Sequence, residues 1–449
     1  METCARACKS ISKILRAEQY SFQLPEKYNI LIFQKTRRMF YHPFIGNVFI
    51  LIRHYKSSIF EFIYIFCLHA EYLHYCCSLL TQPILTTCFI IRPQEIKMDK
   101  LFTSFKLGQY TLNNRLVMAP MTRSRAEYDG TPADLAVEYY TQRAGVGLIV
   151  AEGTQPSDDG QGYLMTPGIY TEAHVAGWKK ITSAVHNKGG HLFIQLMHTG
   201  RMNHPDNTAH HRQGVAPSAI APGVQMFTAS GMQDIPVPRE LTTEEIHNTV
   251  ADFRYAARRA VEAGADGVEI HGANAYLIHQ FLAPSANQRS DEYGGSIENR
   301  ARFALEVAAA IAGEIGADKT AIRLSPGSQI WGINEGEEGP ALYRYLVAEL
   351  NKLGLSYLHI MHMGNEVLLG ELRGLWTQPL ILNRPGKSRE NIGDDLQSGL
   401  AELESYGQMI LANPDFTCRI KTGAEMNSAD PATYYGGGVE GYTDYPVMQ

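Results

Sequence analysis

At 449 residues, 45% hydrophobic and 19% charged, the chain is long enough for one large globular domain and an appendage. Its formal net charge of −6 argues against nucleic acid as a partner, because phosphate binding needs a basic surface. Six of the seven cysteines precede residue 98, leaving only Cys418 beyond it, so the larger part has no disulfide framework, thiolate-held metal or iron–sulfur cluster.

The first 97 residues contain no aspartate, a single glycine (Gly46) and twelve Lys and Arg against six Glu, whereas the remainder sums to −12. This shift places a boundary near Ile96, Lys97 and Met98. Residues 1–97 read as an atypical N-terminal extension, and residues 98–449, opening MDKLF, as the functional domain. Residues 72–91 lack Asp, Glu, Lys and Arg over a bilayer-spanning length, but His74, Gln82, Pro83 and several threonines weaken that reading, and no membrane partner is expected. No clean apolar core for a cleaved signal lies in the first thirty residues, and Glu2 and Glu18 weigh against a mitochondrial presequence. The expected location is the cytoplasm, as a monomer or homodimer.

Beyond Met98, short apolar runs rich in β-branched residues recur at 115–120, 147–153, 191–196, 266–272, 320–326, 355–361 and 379–384, and an eighth is expected just before Gly407. Amphipathic helical patterns separate them. The pattern running to Gly264 opens with Thr242 or Thr243 as N-cap and has Glu in its first turn. Eight alternating units predict an α/β fold, a TIM (β/α)8 barrel, whose active site is built at the C-terminal ends of the strands. No Gly-x-Gly-x-x-Gly follows a strand and no P-loop occurs, while Gly436, Gly437 and Gly438 read as a tight turn.

Polar residues cluster at those strand ends. His271 stands at the end of the run 266–272 with Asn274 and Tyr276 just beyond it, Gln195 lies near the end of the third run, Thr122 follows the first, and Arg323 interrupts AIRLSP. An arginine in an apolar run needs a partner at the barrel mouth, since an unpaired buried charge is expensive. His198, His204, His210 and His211 fit no helix face, and no metal site is expected.

From APMTRSR at 119–125, through GADGVEIHGANAYLIHQFLAPSANQRSDEYGGSIENRARF, to GYTDYP at 441–446, the chain resembles the Old Yellow Enzyme family of FMN-dependent ene-reductases. The resemblance covers nearly everything beyond Met98. It implies bound FMN, hydride from NADH or NADPH, and a small electrophilic alkene as substrate. In such an enzyme Pro120, Met121, Thr122, Gly153, Gln195 and Arg323 surround the flavin ring, with Arg323 near N1 and O2. Asn383, Gly386, Gly407 and Gln408 lie toward the phosphate. His271 and Asn274 hold the substrate's carbonyl or nitro oxygen, Tyr276 donates the proton, and Tyr163 and Tyr435 line the substrate pocket.

Three positions depart from the family pattern. Gln408 replaces the arginine that pairs with the phosphate, Glu404 stands in the eighth strand where an apolar residue is usual, and Met197 replaces a common aromatic in QLMHTGR. The first two motivate a rival reading, a cofactor-deficient barrel acting as a binding or scaffold protein. A relative carrying an iron–sulfur cluster and further domains is disfavoured by the missing cysteines.

Overall fold

The computed structural model describes residues 98–448 and, of the preceding segment, three strands. Those strands form a small sheet in which Asn47–Arg53 pairs parallel with Asn29–Ile32 and antiparallel with Phe62–Cys67. The chain divides into two compact units, Met1–Ile96 and Lys97–Gln449. Residues 72–91, weighed above as a membrane span, lie outside the described residues. Among those described, no helix is long and apolar enough to cross a membrane.

The second unit is a closed barrel of eight parallel strands: β1 (Leu116–Met118), β2 (Leu148–Thr154), β3 (Leu192–Leu196), β4 (Gly267–Gly272), β5 (Thr320–Leu324), β6 (Tyr357–Met361), β7 (Leu380–Asn383) and β8 (Leu403–Tyr406), with β8 pairing back to β1. A helix follows each strand: α1 (Asp134–Gln142), α2 (Glu172–Asn187), α3 (Thr243–Glu262), α4 (Ile297–Ile315), α5 (Gly339–Asn351), α6 (Glu366–Leu375), α7 (Asp394–Ser398) and α8 (Phe416–Thr422). The starts of the long helices follow from their caps. Thr242 accepts from the Glu245 N–H and the Glu245 carboxylate returns to the Thr242 N–H; Thr171 and Ser296 cap α2 and α4.

Period-two alternation sorts the strand side chains into two layers. Ile149, Ile194, Val268, Ile270, Ile322, Leu358 and Leu382 pack outward into the helix layer. Val117, Leu148, Val150, Phe193, Ala321, Tyr357, Ile381 and Leu403 fill the interior, closed by Leu107 and Leu112 from a hairpin of Phe105–Leu107 with Tyr110–Leu112. The apolar fill leaves the opposite, C-terminal end of the strands to polar groups.

Candidate active site

Strand register sets the floor of the site. His271 of β4 lies opposite Arg323 of β5, which lies opposite His359 of β6, while Glu269 of β4 lies opposite Gln195 of β3. Glu269 is fully buried and accepts from Gln195 Nε2 at 2.8 Å and pairs with His359 Nδ1 at 2.8 Å; His359 Nε2 is 2.8 Å from Ser405 Oγ. Burial opposes the Glu269 charge, yet His359, Arg323 and the Gln195 hydrogen bond hold its carboxyl below the usual carboxylate range. The bond to Glu269 also turns the Gln195 amide so that its carbonyl oxygen is left for the cavity above.

Seven of the residues expected from sequence line that one cavity: Pro120, Thr122, Gln195, His271, Asn274, Tyr276 and Arg323, together with Met197, Ile330, Trp331 and Met361. His271 Nδ1 accepts from the Ala273 N–H at 3.3 Å, so Nε2 carries the proton and is a donor. Burial, reinforced by Arg323, pushes the His271 imidazole well down, keeping it neutral. Tyr276 precedes a short helix, Leu277–Leu282, with its ring 4.9 Å from that of His271 and 5.7 Å from that of Trp331. Arg323 donates to Asn383 Oδ1 at 3.2 Å, and Asn383 Nδ2 in turn donates to the Ser405 carbonyl at 2.9 Å. Arg323 Nε and Asn274 Oδ1 are buried with no protein partner.

Other expected residues stand behind or beyond this lining. Tyr163 reaches it through Tyr276, their hydroxyls 3.2 Å apart. Gly153 sits in a register break of β2, and a Cβ there would meet Met197 Sδ at 2.5 Å, so the unusual methionine and the glycine share one space. Met121 packs behind Gly407, where a Cβ would lie 3.3 Å from Met121 Sδ. Tyr435 is 68% exposed and Gln408 is also exposed.

The β7–α7 segment has a charge arrangement of its own. Gly386 borders a second cavity of about 780 Å³ with Arg384, Lys387 and Asp395. Arg384 pairs with Glu366 at 2.6 Å and Asp395 at 3.0 Å, and Lys387 pairs with Asp395 at 2.8 Å and Glu404 at 3.1 Å. Glu404 accepts from the backbone N–H groups of Gly393 and Asp395, each at 2.8 Å, and of Leu396 at 3.2 Å, and from the Tyr406 hydroxyl. This carboxylate is therefore satisfied inside the protein, with its partners on the α7 side.

Sequence reading passed over Glu269 and His359 on the floor, and Ile330, Trp331 and Met361 on the wall. The signal for Glu269 was available, since the demand for a partner near Arg323 applies to any acid in a neighbouring apolar run. The four histidines raised as metal candidates lie in loop hydrogen bonds: His198 Nδ1 accepts from Gly200 N, His204 Nδ1 from Asp206 N and His210 Nδ1 from Arg212 N, while His211 Nδ1 lies 2.9 Å from the Pro205 carbonyl. Among the described residues no group of three or more His, Cys, Asp or Glu could hold a metal ion.

A family model for the NADH:flavin oxidoreductase / NADH oxidase family matches residues 100–427. The chain belongs to the Old Yellow Enzyme family. It is 41% identical to 12-oxophytodienoate reductase 2 of Arabidopsis thaliana over 365 residues, covering 78% of this chain and 96% of the relative. Against a probable flavin mononucleotide-dependent alkene reductase of Leishmania infantum it is 39% identical, covering 78% and 98%. Among solved structures, morphinone reductase in complex with tetrahydroNAD superposes with a TM-score of 0.75 at 42% identity, covering 78% and 98%. The Old Yellow Enzyme homologue of Zymomonas mobilis gives 0.75 at 37% identity, covering 78% and 100%.

As a member of the Old Yellow Enzyme family the chain is an FMN-dependent NAD(P)H oxidoreductase of the ene-reductase type. Its cavity suits the ring of that cofactor: Gln195 presents an acceptor, Arg323 a cation with a spare N–H, and Thr122 a hydroxyl. Around Gly386 and Gln408, the residues expected toward the phosphate, Gln408 brings no charge and Arg384 and Lys387 are engaged with acids.

Proposed function

We propose that the chain reduces the activated C=C bond of α,β-unsaturated carbonyl or nitro compounds in a ping-pong cycle, with NADH or NADPH as reductant. Bound FMN supplies the hydride carrier between nicotinamide and alkene. The observation that carries the reading is the convergence of the His271 Nε2–H, Asn274 and Tyr276 on one cavity beside Arg323 and Gln195.

His271 and Asn274 grip the carbonyl or nitro oxygen, drawing electron density from the double bond and stabilising the enolate that develops as the β-carbon is reduced. Neutral His271 suits that task, being a donor with no proton to lose at Nδ1. Tyr276 donates its phenolic proton to the α-carbon. With FMN bound, Arg323 would supply positive charge to stabilise the reduced ring, Gln195 a carbonyl acceptor, and Pro120, Met121, Thr122 and Gly153 would help hold it. Asn383, Gly386, Gly407 and Gln408 serve the phosphate end, and Tyr163 and Tyr435 bound the space for substrate. We place its action in the cytoplasm, as monomer or homodimer.

The purified protein is expected to be yellow and to oxidise NADPH on addition of 2-cyclohexenone without oxygen. Replacing His271 and Asn274 together with Ala is expected to abolish most of that turnover. A second reading, a barrel that serves as a scaffold, is favoured only by the charge-neutral Gln408 and the engaged cations of the β7–α7 segment. A colourless protein that FMN cannot reconstitute would establish it.

A further inference from the structure

The turn that aims Asn274 and Tyr276 is one the backbone resists. Asn274 and Ala275 are consecutive non-glycine residues at φ 55° and 64°. Left-handed backbone crowds Cβ against the carbonyl, and alanine has no polar side chain to compensate, so the surroundings must impose the shape.

Three contacts do so. The Asn274 N–H donates to Ser325 Oγ at 3.0 Å, the Ala275 N–H to His279 Nδ1 at 3.1 Å, and Gln280 Nε2 to the Ala275 carbonyl at 2.7 Å. His279 is the one that reaches further. Because its Nδ1 accepts, Nε2 holds the proton, which it donates to Glu335 Oε1 at 2.9 Å. The same carboxylate accepts from the Tyr343 hydroxyl at 2.8 Å and, through Oε2, from the Gly327 N–H at 2.8 Å. Gly327 begins the segment that brings Ile330 and Trp331 to the cavity. The His279 side chain is fully buried, and that of Glu335 is 8% exposed.

We propose that His279 and Glu335 form a positioning pair for the substrate side of the cavity, which rests on the reading that Asn274 and Tyr276 act on the alkene. One carboxylate ties two walls together: through His279 it holds the left-handed turn, and through Gly327 it holds the segment bearing Trp331. A histidine that only filled core volume would be replaceable by any side chain of its size. Here an acceptor is required at Nδ1 and a donor at Nε2.

The test uses the full-length, FMN-loaded protein with 2-cyclohexenone and a prochiral 2-substituted enone. His279→Leu is expected to lower kcat/KM for 2-cyclohexenone by about tenfold or more, because small misplacements of reacting groups are costly. It is also expected to erode the enantiomeric excess of the prochiral product while the FMN dissociation constant stays within about threefold of wild type. His279→Asn, which keeps an acceptor near the Nδ1 position, should recover part of both losses. Glu335→Gln presents an amide in place of one carboxylate oxygen and should shift both readouts in the same direction as His279→Leu. Wild-type kcat/KM and enantiomeric excess in His279→Leu would overturn the proposal, as would a loss that tracks weakened FMN binding and is not recovered by Asn. Should His279→Leu fail to fold, unchanged stereoselectivity in both His279→Asn and Glu335→Gln overturns it instead. A wild-type protein inert toward every enone overturns the functional reading, and this proposal with it.

Discussion

The phenol oxygen of Tyr276 lies 3.2 Å from that of Tyr163. Both phenols are pushed up, Tyr163 well above its ordinary value, first by burial. Tyr276 therefore keeps its proton up to its ordinary value of 10.0, which the proposed role of proton donor requires.

Tyr276→Phe is expected to slow alkene reduction by about a hundredfold while leaving reduction of the flavin by NADPH near wild type, the usual scale for a lost general acid. Stopped-flow traces of the two half-reactions measure the separation. In the wild type, alkene reduction should show no loss of rate attributable to this phenol as pH rises to its ordinary value of 10.0. A Tyr276→Phe variant that reoxidises with 2-cyclohexenone at the wild-type rate rejects Tyr276 as the acid.

His198 gives a pH dependence of stability. Burial pushes its imidazole from 6.5 down to about 4, with Nδ1 engaged by the Gly200 N–H. The unfolded chain takes up a proton below 6.5 that the folded chain refuses until about 4. Its stabilising contribution is complete above 6.5 and declines as pH falls toward 4, at a limiting slope of about 1.4 kcal/mol per pH unit. Urea midpoints at several pH values should show the slope, and His198→Asn should remove about one proton's worth of it. A variant with an unchanged slope would mean His198 titrates normally in the folded protein.

Gln408→Arg should tighten FMN binding, because a guanidinium–phosphate hydrogen bond is worth about 1.5–3 kcal/mol, or roughly ten- to a hundredfold in the dissociation constant. Gln408 is exposed, so the new side chain has room, and Glu404 is already engaged by the Gly393 and Asp395 N–H groups. Flavin fluorescence titration reads the result; equal or weaker binding would show that position 408 does not face the phosphate.

Residues 98–449 expressed alone are expected to fold and bind FMN. The family match begins at residue 100, and the cut preserves Leu101 in the core and the Phe105–Leu107 hairpin under the barrel. A truncated protein that aggregates, or melts well below the full-length chain, would show that the first 97 residues support the enzyme.

The barrel was legible because each strand is a short β-branched apolar run and the helices carry their own start signals, as at Thr242. The polar part of the cavity lining was legible because its donors stand at or just beyond strand ends, whereas Ile330, Trp331 and Met361 bear no such mark. What sequence did not reveal was partnership. Glu269 and His359 are ninety positions apart and meet only when the barrel closes. The left-handed turn at Ala275 is marked by no glycine, and the side chains that hold it, Ser325, His279 and Gln280, lie further along the chain. Glu404 reads as a misplaced charge in ELESY until the N–H groups of residues 393–396 come round to meet it.

His271 and Arg323 face each other across the β4–β5 pairing. Neighbouring strands stand about 4.8 Å apart in any sheet, so the interval between these two groups is fixed by backbone hydrogen bonding. Trp331, Ile330 and Tyr163, by contrast, sit in connecting segments. Insertions or exchanges in those segments can therefore change which alkenes are admitted while the spacing that the proposed reaction uses stays untouched. A library confined to residues 160–167 and 328–333 is the economical place to seek new substrates.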